Sequence, residues 1–409
     1  MRRTLSLTID SIASGGDGVG RADGLVVFVP RSAPGDVITA TVAGKGHFAR
    51  GMLRSVVRPS PVRVDPPCQH YTRDRCGGCQ LQHLRYDAQL DAKSRMITDA
   101  MQRIGKRETN PPMVYRSAEE WRYRAKLTLA IRRRGNSWIA GLHSYDDPSH
   151  VFPLADCPIT DRRVVTAWRE IMTAAHLLPD APDLRGSVRW TVDGPVFVVI
   201  GGRRWTSHET FFAALPSLAA LYWEPADNPR LQLGDRRPRN TPAASFAQVN
   251  PATADALRRY VAERALSYDP RVVVDAYSGS GDLSCILAEH DIRVTAIELD
   301  ADASDWSRAR LPASATVVRG RVEEMLPHHL PADLVVVNPP RAGVHEAVPA
   351  VLQGPNGPRT IIYVSCDPAT LARDVARLPD YQITSMNAFD MFPQTSHVET
   401  VCELVRAAA

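Results

Sequence analysis

The chain reads Val272-Val273-Val274-Asp275-Ala276-Tyr277-Ser278-Gly279-Ser280-Gly281-Asp282, an apolar run that ends in a glycine-rich turn. Glycines at a strand-to-helix turn allow the backbone to come close to a ligand. Further apolar runs follow, several of them separated by helical stretches, at residues 294–297, 316–318, 334–337, 361–364, 383–386 and 401–405. This alternation predicts an α/β fold for residues 241–409, with a doubly wound sheet of about seven strands.

The glycine turn and the strand after it indicate which cofactor this sheet would bind. Glu298 ends the second strand, where a carboxylate can accept hydrogen bonds from ribose hydroxyls. A dinucleotide fingerprint would also need a third glycine near position 284, which is Ser284 here. The turn therefore favours S-adenosylmethionine over NAD.

The front of the chain predicts two further domains. Residues 1–60 contain short alternating runs and turn sequences, which predict a barrel of about five strands of the OB type. Residues 61–240 predict a central α+β domain with a helix over 86–104, strands near 121–131 and 196–200, and a polar linker at 231–242.

Composition and charge narrow the class of protein. The 409 residues are 44% hydrophobic and 23% charged, which excludes a disordered chain and a coiled coil. The apolar runs are too short to cross a membrane, and the N-terminus lacks the apolar core of a secretory signal. We therefore expect a cytoplasmic protein with no membrane partner.

The charges divide unevenly between the two parts of the chain. Residues 1–240 carry 35 Lys and Arg against 24 Asp and Glu, whereas residues 241–409 carry 14 against 21. Base composition can explain why 45 of the cations are Arg and only 4 are Lys, but it does not explain this division. A basic front half predicts that this part binds a polyanion, and nucleic acid is the natural candidate.

Three cysteines within twelve residues predict a metal site. They are Cys68, Cys76 and Cys79, and Cys157 is a possible fourth ligand. Thiolates suit an iron–sulfur cluster or tetrahedral zinc. Zinc ribbons usually bring two close pairs of cysteines, so one pair with two outliers favours the cluster.

Two further strand ends carry reactive side chains. Cys366 follows the run at 361–364 and precedes a helix, whose N-terminus is expected to lower the thiol pKa and favour a thiolate nucleophile. Glu399 precedes the last strand and could act as a general base in the same crevice. The loop Asn338-Pro339-Pro340-Arg341 follows another strand and offers an amide and a cation there.

Together these residues resemble the RNA uracil-5-methyltransferases, specifically the branch with an N-terminal TRAM domain and an iron–sulfur cluster. The resemblance implies a TRAM domain at residues 1–60, binding of RNA by the front half of the chain, and methylation of carbon 5 of a uridine. It implies that Cys366 is the nucleophile and Glu399 the base. It further implies that the cofactor is held by Gln248 (within Ser245-Phe246-Ala247-Gln248), Tyr277, Glu298 and Asn338. A 4Fe-4S cluster would be held by Cys68, Cys76, Cys79 and Cys157.

The resemblance also implies the partner, because members with both TRAM and cluster mostly act on large-subunit ribosomal RNA. We therefore expect 23S rRNA rather than tRNA as substrate, and a monomeric enzyme. Departures from the family pattern lie in the cofactor pocket: Asn338 replaces the usual Asp, and Arg321 stands where a small polar or acidic residue is common. Ser278 and Asp282 also stand where Cys and Asn are common.

Two other functions are compatible with the sequence. Asn-Pro-Pro also occurs in enzymes that methylate exocyclic amines, which need no cysteine nucleophile, although an aromatic residue usually follows where Arg341 stands. The changes at Asn338 and Arg321 also allow an RNA-binding protein with a degenerate cofactor pocket.

Overall fold

Three β-sheets organise the computed structural model, which describes residues 3–44, 47–135, 137–238 and 248–407. A closed five-stranded barrel comes first, a seven-stranded sheet follows, and an eight-stranded sheet contains the C-terminal strands. The α/β fold class is confirmed, and so is the barrel at the N-terminus.

The barrel closes in the order β1-β2-β3-β5-β4. Its alternating residues place Leu7, Ile9, Val27 and Ile38 in a common interior, as the period of a β-strand requires. Its strands are β1 (Arg3–Ile12), β2 (Gly18–Ala22), β3 (Leu25–Val29), β4 (Val37–Ala43) and β5 (Phe48–Arg58).

The middle of the chain forms a connecting segment and the seven-stranded sheet, ordered β13-β12-β11-β10-β7-β8-β9. The connecting segment contains α1 (Gln69–Thr72), α2 (Tyr86–Ala100), a π-helical turn (Met101–Gly105) and β6 (Met113–Tyr115). The sheet region contains β7 (Lys126–Arg134), β8 (Ser137–His143), β9 (Val151–Pro153), α3 (Arg162–Thr173), β10 (Asp183–Thr191), β11 (Gly194–Ile200), α4 (His208–Ala214), β12 (Ala220–Glu224) and β13 (Leu231–Asp235). A short 3-10 helix (Ala175–Leu177) follows α3.

One prediction for this region is wrong. Residues 231–235 form strand β13 on β12 rather than a polar linker, because cross-strand pairing stabilises even this polar edge strand. The later part of the predicted linker, residues 239–242, lies outside the described residues, and so do Ser245, Phe246 and Ala247.

The C-terminal region supplies seven strands of the eight-stranded sheet, ordered β16-β15-β14-β17-β18-β20-β19-β6. Its elements are α5 (Pro251–Leu266), β14 (Val272–Ala276), α6 (Asp282–Ala288), β15 (Arg293–Glu298), α7 (Ala301–Arg310), β16 (Thr316–Arg319), α8 (Val322–Met325), a 3-10 helix (Leu326–His329), β17 (Leu334–Val337), α9 (Ala347–Gln353), β18 (Thr360–Ser365), α10 (Pro368–Ala376), β19 (Tyr381–Phe389) and β20 (Glu399–Arg406). Asn250 caps α5, since its side chain accepts a hydrogen bond from the N–H of Thr253.

The seven strands predicted for residues 241–409 are confirmed, and an eighth strand joins the sheet from outside that region. Strand β6 comes from the connecting segment and pairs in parallel with the edge strand β19, Ala388 opposite Val114. The α2 segment joins the same body, because Met101 lies in the core with Val335 and Leu371. Boundaries at residues 60 and 240 stay predictions.

The strand order fixes where ligands can approach. The first strand, β14, lies between β15 and β17: the chain runs through β15 to β16 on one side of β14 and then returns to β17 on its other side. In open α/β sheets this switch point opens a crevice at the carboxyl ends of the strands. Within the described ranges, every helix is too short or too polar to cross a membrane.

Candidate active site at the carboxyl edge of the eight-stranded sheet

Glu298 and the glycine turn form one side of the crevice. One carboxylate oxygen of Glu298 accepts the N–H of Gly279 at 2.8 Å, and the other accepts the N–H groups of Leu299 and Asp300. At Gly281 (φ +75°) a Cβ would lie 2.1 Å from the Ser307 hydroxyl, whereas at Gly279 (φ +56°) it would meet open space. The turn is therefore packed against α7 on one side and open on the side where a ligand would approach.

Tyr277 and Asn338 follow the adjacent strands β14 and β17. Tyr277 is half-buried with φ +62°, and burial, with the charge of Glu323, raises its pKa to about 12. Asn338 donates its backbone N–H to the carbonyl of Ala276, and its side chain is exposed. The structure thus brings Tyr277, Glu298 and Asn338 to one edge, as predicted.

Arg321, one of the departures from the family pattern, lies at the N-terminus of α8. Its guanidinium approaches the Glu323 carboxylate to 3.6 Å, and the Arg321 side chain is 60% exposed. The extra cation is therefore partly balanced by an acidic neighbour that also lies near Tyr277.

Cys366 and Glu399 meet at the ends of two paired strands. Strands β18 and β20 are antiparallel, with Ser365 opposite Thr400, so the next positions along the ladder are Cys366 and Glu399. Asp367 caps α10 by accepting the N–H of Thr370 at 2.8 Å, which confirms the helix predicted after Cys366.

The thiol pKa differs from the expectation drawn from the helix N-terminus. Burial, with the charge of Glu399, raises the pKa of Cys366 to about 11, and Arg341 opposes this. The expected lowering is therefore wrong, because desolvation and the charge of Glu399 outweigh Arg341 and the backbone N–H of Cys366, which lower the pKa.

Glu399 has the properties of a base for neutral pH. It is 3% exposed, and burial raises its pKa to about 7 against a hydrogen bond from Gln248 and the charge of Arg341. A carboxyl that changes protonation near neutrality can accept a proton during a reaction. Gln248, assigned by the resemblance to the cofactor, thus lies beside Glu399.

Arg341 and His397 complete the surroundings of this pair. Arg341 is exposed and its charge acts on Cys366, Glu399 and His397 alike. Burial lowers the pKa of His397 to about 4, and the cations of Arg341, Lys93 and Arg124 add to this, so the imidazole is neutral at pH 7. The approach of Lys93 and Arg124 was not predicted, since neither residue belongs to a motif.

The four predicted metal ligands border one cavity of about 270 Å³. Cys68, Cys76 and Cys79 are buried and Cys157 is half-buried. The N–H of Gly78 points to the Cys76 sulfur at 3.4 Å, and burial, with the nearby Cys157 and Cys68, raises the pKa of Cys76 to about 12.

Arg341 and His397 also line this cavity, so the cysteines and part of the candidate active site border the same space. Nowhere in the described ranges do three or more His, Cys, Asp or Glu side chains gather as a ready-made ligand set. The four thiols suit an iron–sulfur cluster in donor type, and all four line one cavity.

Comparisons of sequence find similar proteins over almost the whole chain. Residues 319–407 match the family model described as tRNA (Uracil-5-)-methyltransferase. The chain is 32% identical to an uncharacterized RNA methyltransferase of Halalkalibacterium halodurans, over 98% of this chain and 96% of the relative. It is 33% identical to one of Gloeobacter violaceus, over 99% and 97%.

A solved structure has a similar fold throughout. It is the tRNA (uracil-54, C5)-methyltransferase of Pyrococcus abyssi in complex with S-adenosyl-L-homocysteine, with 26% sequence identity and a TM-score of 0.70. The match covers 99% of this chain and 100% of that chain. The likeness therefore extends over all three sheets and not only over the crevice.

Proposed function

The chain belongs to the family of S-adenosylmethionine-dependent RNA (uracil-5-)-methyltransferases, and we propose that it methylates carbon 5 of a uridine through a covalent bond between Cys366 and carbon 6. The observation that carries this proposal is the juxtaposition of Cys366 and Glu399 at the ends of β18 and β20. A nucleophile beside a buried base with a pKa of about 7 suits addition followed by proton removal.

The residues divide the reaction between them. Uracil carbon 5 is a poor nucleophile, so Cys366, as a thiolate, first adds to carbon 6 and makes an enolate. The Arg341 cation favours the thiolate form of Cys366. After methylation at carbon 5, Glu399 removes the proton from that carbon. The bond between sulfur and carbon 6 then breaks, which restores the thiolate and the double bond.

The cofactor would lie on the open side of the glycine turn. Tyr277, Glu298 and Asn338 would hold it there, with Gln248 nearby beside Glu399. S-adenosylmethionine supplies the methyl group when bound. The open space above Gly279 and the exposed Asn338 amide support this placement.

Trapping the covalent adduct tests the proposal. Glu399→Gln keeps the shape of the side chain but is a much weaker base, so the enzyme should stall after methyl transfer with RNA attached. Incubated with S-adenosylmethionine and RNA from a strain lacking the enzyme, this variant should show an adduct that survives denaturing electrophoresis.

Two controls separate the alternatives. The double variant Glu399→Gln with Cys366→Ala should give no adduct. An amino-group methyltransferase would remain active as Cys366→Ala, and a binding protein with a degenerate pocket would fail to bind S-adenosylmethionine in calorimetry. An adduct that persists without Cys366 would show that another residue is the nucleophile.

We propose 23S rRNA as the substrate, because the barrel and the cysteine set resemble the branch that acts on it. The likeness to the Pyrococcus abyssi tRNA enzyme supports tRNA as the second candidate. Mapping 5-methyluridine by mass spectrometry in both RNAs from a deletion strain distinguishes them.

We further propose that the enzyme is a cytoplasmic monomer, with residues 1–60 as a TRAM-like RNA-binding domain and residues 61–240 as the cluster domain.

We propose that Cys68, Cys76, Cys79 and Cys157 hold a 4Fe-4S cluster, supported by the shared cavity that all four border. Protein purified without oxygen should be brown and contain iron and acid-labile sulfide, whereas Cys79→Ala should lose both. Colourless protein with stoichiometric zinc would replace the cluster by zinc and leave the methyltransferase proposal intact.

A further inference from the structure

Glu399 is held in place by a loop whose anchors come from the other end of the chain. We call residues 390–398 the base loop; it joins β19 to β20, and its flanking residues Phe389 and Glu399 pair with each other. Because the loop closes on Glu399 itself, its conformation sets the backbone from which the carboxylate projects.

Gln394 lies in this loop in an unfavourable conformation. Its φ is +71°, a backbone region that residues other than glycine seldom adopt, and Gln394 is 2% exposed. Backbone strain of this kind persists only where the surroundings enforce it, and it concentrates at functional sites.

Gln89 on α2 provides the first anchor. Its side-chain carbonyl accepts the backbone N–H of Gln394 at 2.9 Å, and its amide donates to the Gln394 side-chain carbonyl at 2.9 Å. The same amide donates to the carbonyl of Leu84, and Gln89 is 1% exposed. The two glutamines are thus joined by a pair of buried hydrogen bonds.

The cysteine segment provides the second anchor. The backbone N–H groups of Gln80 and Leu81 donate to the Gln394 carbonyl at 3.2 and 2.9 Å. The Gln80 side-chain carbonyl accepts the N–H of Ser396 at 3.4 Å, and its amide donates to the Gly77 carbonyl at 2.9 Å. Gln80 therefore links the Cys76–Cys79 turn to the base loop.

We infer that Gln89 and Gln80 are positioning residues for Glu399 that serve the proton-removal step of the reaction, Gln89 through Gln394 and the Gln80 side chain through Ser396. This inference rests on the proposed function. Neither glutamine is part of the thiol, the base or the cofactor crevice, so loosening the base loop should leave methyl transfer intact and impair the step that needs Glu399.

Separate measurement of adduct formation and adduct decay tests this role. Gln89→Met and Gln80→Met keep the side-chain length but remove the hydrogen bonds. Gln353→Met is the matched control, because the Gln353 amide also bridges two backbone groups, Arg377 and Asp380, away from the base loop. Full-length proteins would be mixed with methyl-labelled S-adenosylmethionine and RNA from a strain lacking the enzyme, then quenched at intervals.

We expect both test variants to form adduct within about twofold of the wild-type rate and to release it about 10- to 100-fold more slowly. We also expect the midpoint of the pH profile of decay to move down from about 7. Water admitted by a looser loop would weaken the desolvation that raises the Glu399 pKa, while Arg341 and Cys366 stay beside it. A change in general stability alone would slow both phases and leave the midpoint in place.

Gln80 is only half-buried, so Gln80→Met keeps the test open if Gln89→Met does not fold. Unchanged affinity for S-adenosylmethionine shows that the crevice is intact. If Glu399→Gln accumulates adduct but both test variants behave like Gln353→Met, the positioning role is wrong and the proposed function stands. If no adduct forms even in Glu399→Gln, the proposed function is wrong and the positioning role falls with it.

Discussion

The ammonium of Lys93 and the carboxylate of Asp390 meet at 2.5 Å with both side chains fully buried, although 297 residues separate them in the sequence. Lys93 also donates to the carbonyl of Phe392 at 3.1 Å. The pair thus joins α2 to the first residue of the base loop. A buried ion pair is costly to break on one side, because the remaining charge is left without a partner.

Removing Lys93 alone should therefore destabilise the protein strongly. We expect Lys93→Met to lower the free energy of unfolding by about 3–5 kcal/mol. The double variant Lys93→Met with Asp390→Leu should recover most of the loss, since no buried charge remains. Urea unfolding followed by circular dichroism measures both, and a single variant that costs less than about 1 kcal/mol would contradict the prediction.

Glu399 should make the fold less stable as the pH rises. Its pKa is raised by burial from 4.5 to about 7, so the folded state favours the protonated carboxyl. Its contribution is fully present below pH 4.5 and is lost between 4.5 and about 7. Near pH 8, Glu399→Gln should be the more stable protein by up to about 3 kcal/mol. The two unfolding free energies should converge near pH 4; a difference that stays constant with pH would show that Glu399 is not desolvated.

At position 394, glycine should give a more stable protein than alanine, the reverse of the usual order. Glycine adopts φ +71° freely, whereas alanine is strained there, so we expect Gln394→Ala to be less stable than Gln394→Gly by about 1 kcal/mol. Both variants lack the amide bonded to Gln89, which cancels in the comparison. Thermal unfolding of the pair gives the difference, and equal stabilities would mean that the left-handed conformation is not kept in solution.

Exposed arginines of the barrel should contribute to RNA affinity through phosphate contacts. Arg50, Arg54 and Arg58 lie exposed on β5. We expect each Arg→Gln change that removes a phosphate contact to flatten the slope of log K against log salt by roughly 0.7–0.9. The exposed Arg359 serves as control outside the barrel. An unchanged slope in the triple variant would show that this strand does not contact RNA.

To test whether the barrel contacts RNA, substituting its arginines is preferable to deleting residues 1–60. The guanidinium of Arg31 stacks over the Tyr71 ring at 3.9 Å and donates to the carbonyl of Cys76 at 3.0 Å. Loss of the barrel would therefore disturb the cysteine segment as well as any RNA contact. S-adenosylmethionine binding should survive in the charge variants, because the crevice lies on another sheet.

Local sequence patterns predict the strands whose apolar run and flanking turns are both visible in the sequence. The strand Leu334–Val337 is predicted to the residue, because its buried apolar run ends at a clear turn. The strand pattern predicts Cys366 after one strand and Glu399 before the last strand, whereas the antiparallel pairing of β18 with β20 that makes them neighbours is a property of the tertiary fold.

Features that depend on distant partners could not be predicted in this way. Strand β6 is three residues long with no alternation, and only its pairing with β19 identifies it. The hydrogen bonds between Gln89 and Gln394 join residues 305 positions apart, and neither residue type indicates a role by itself. The raised pKa of Cys366 depends on burial by the tertiary fold and on the charge of Glu399, a residue distant in the sequence.

Strand β6 and helix α2 have a consequence for synthesis on the ribosome. They are translated long before β19 and Asp390, with which they pair in the finished fold. During that interval the charged Lys93 side chain can stay in water. The unpaired helix α2 is therefore less prone to aggregate than it would be with an apolar residue at position 93. The eight-stranded sheet is therefore completed only when its last strands emerge, and in the finished fold its edge and the base loop rest on a segment from far upstream in the chain.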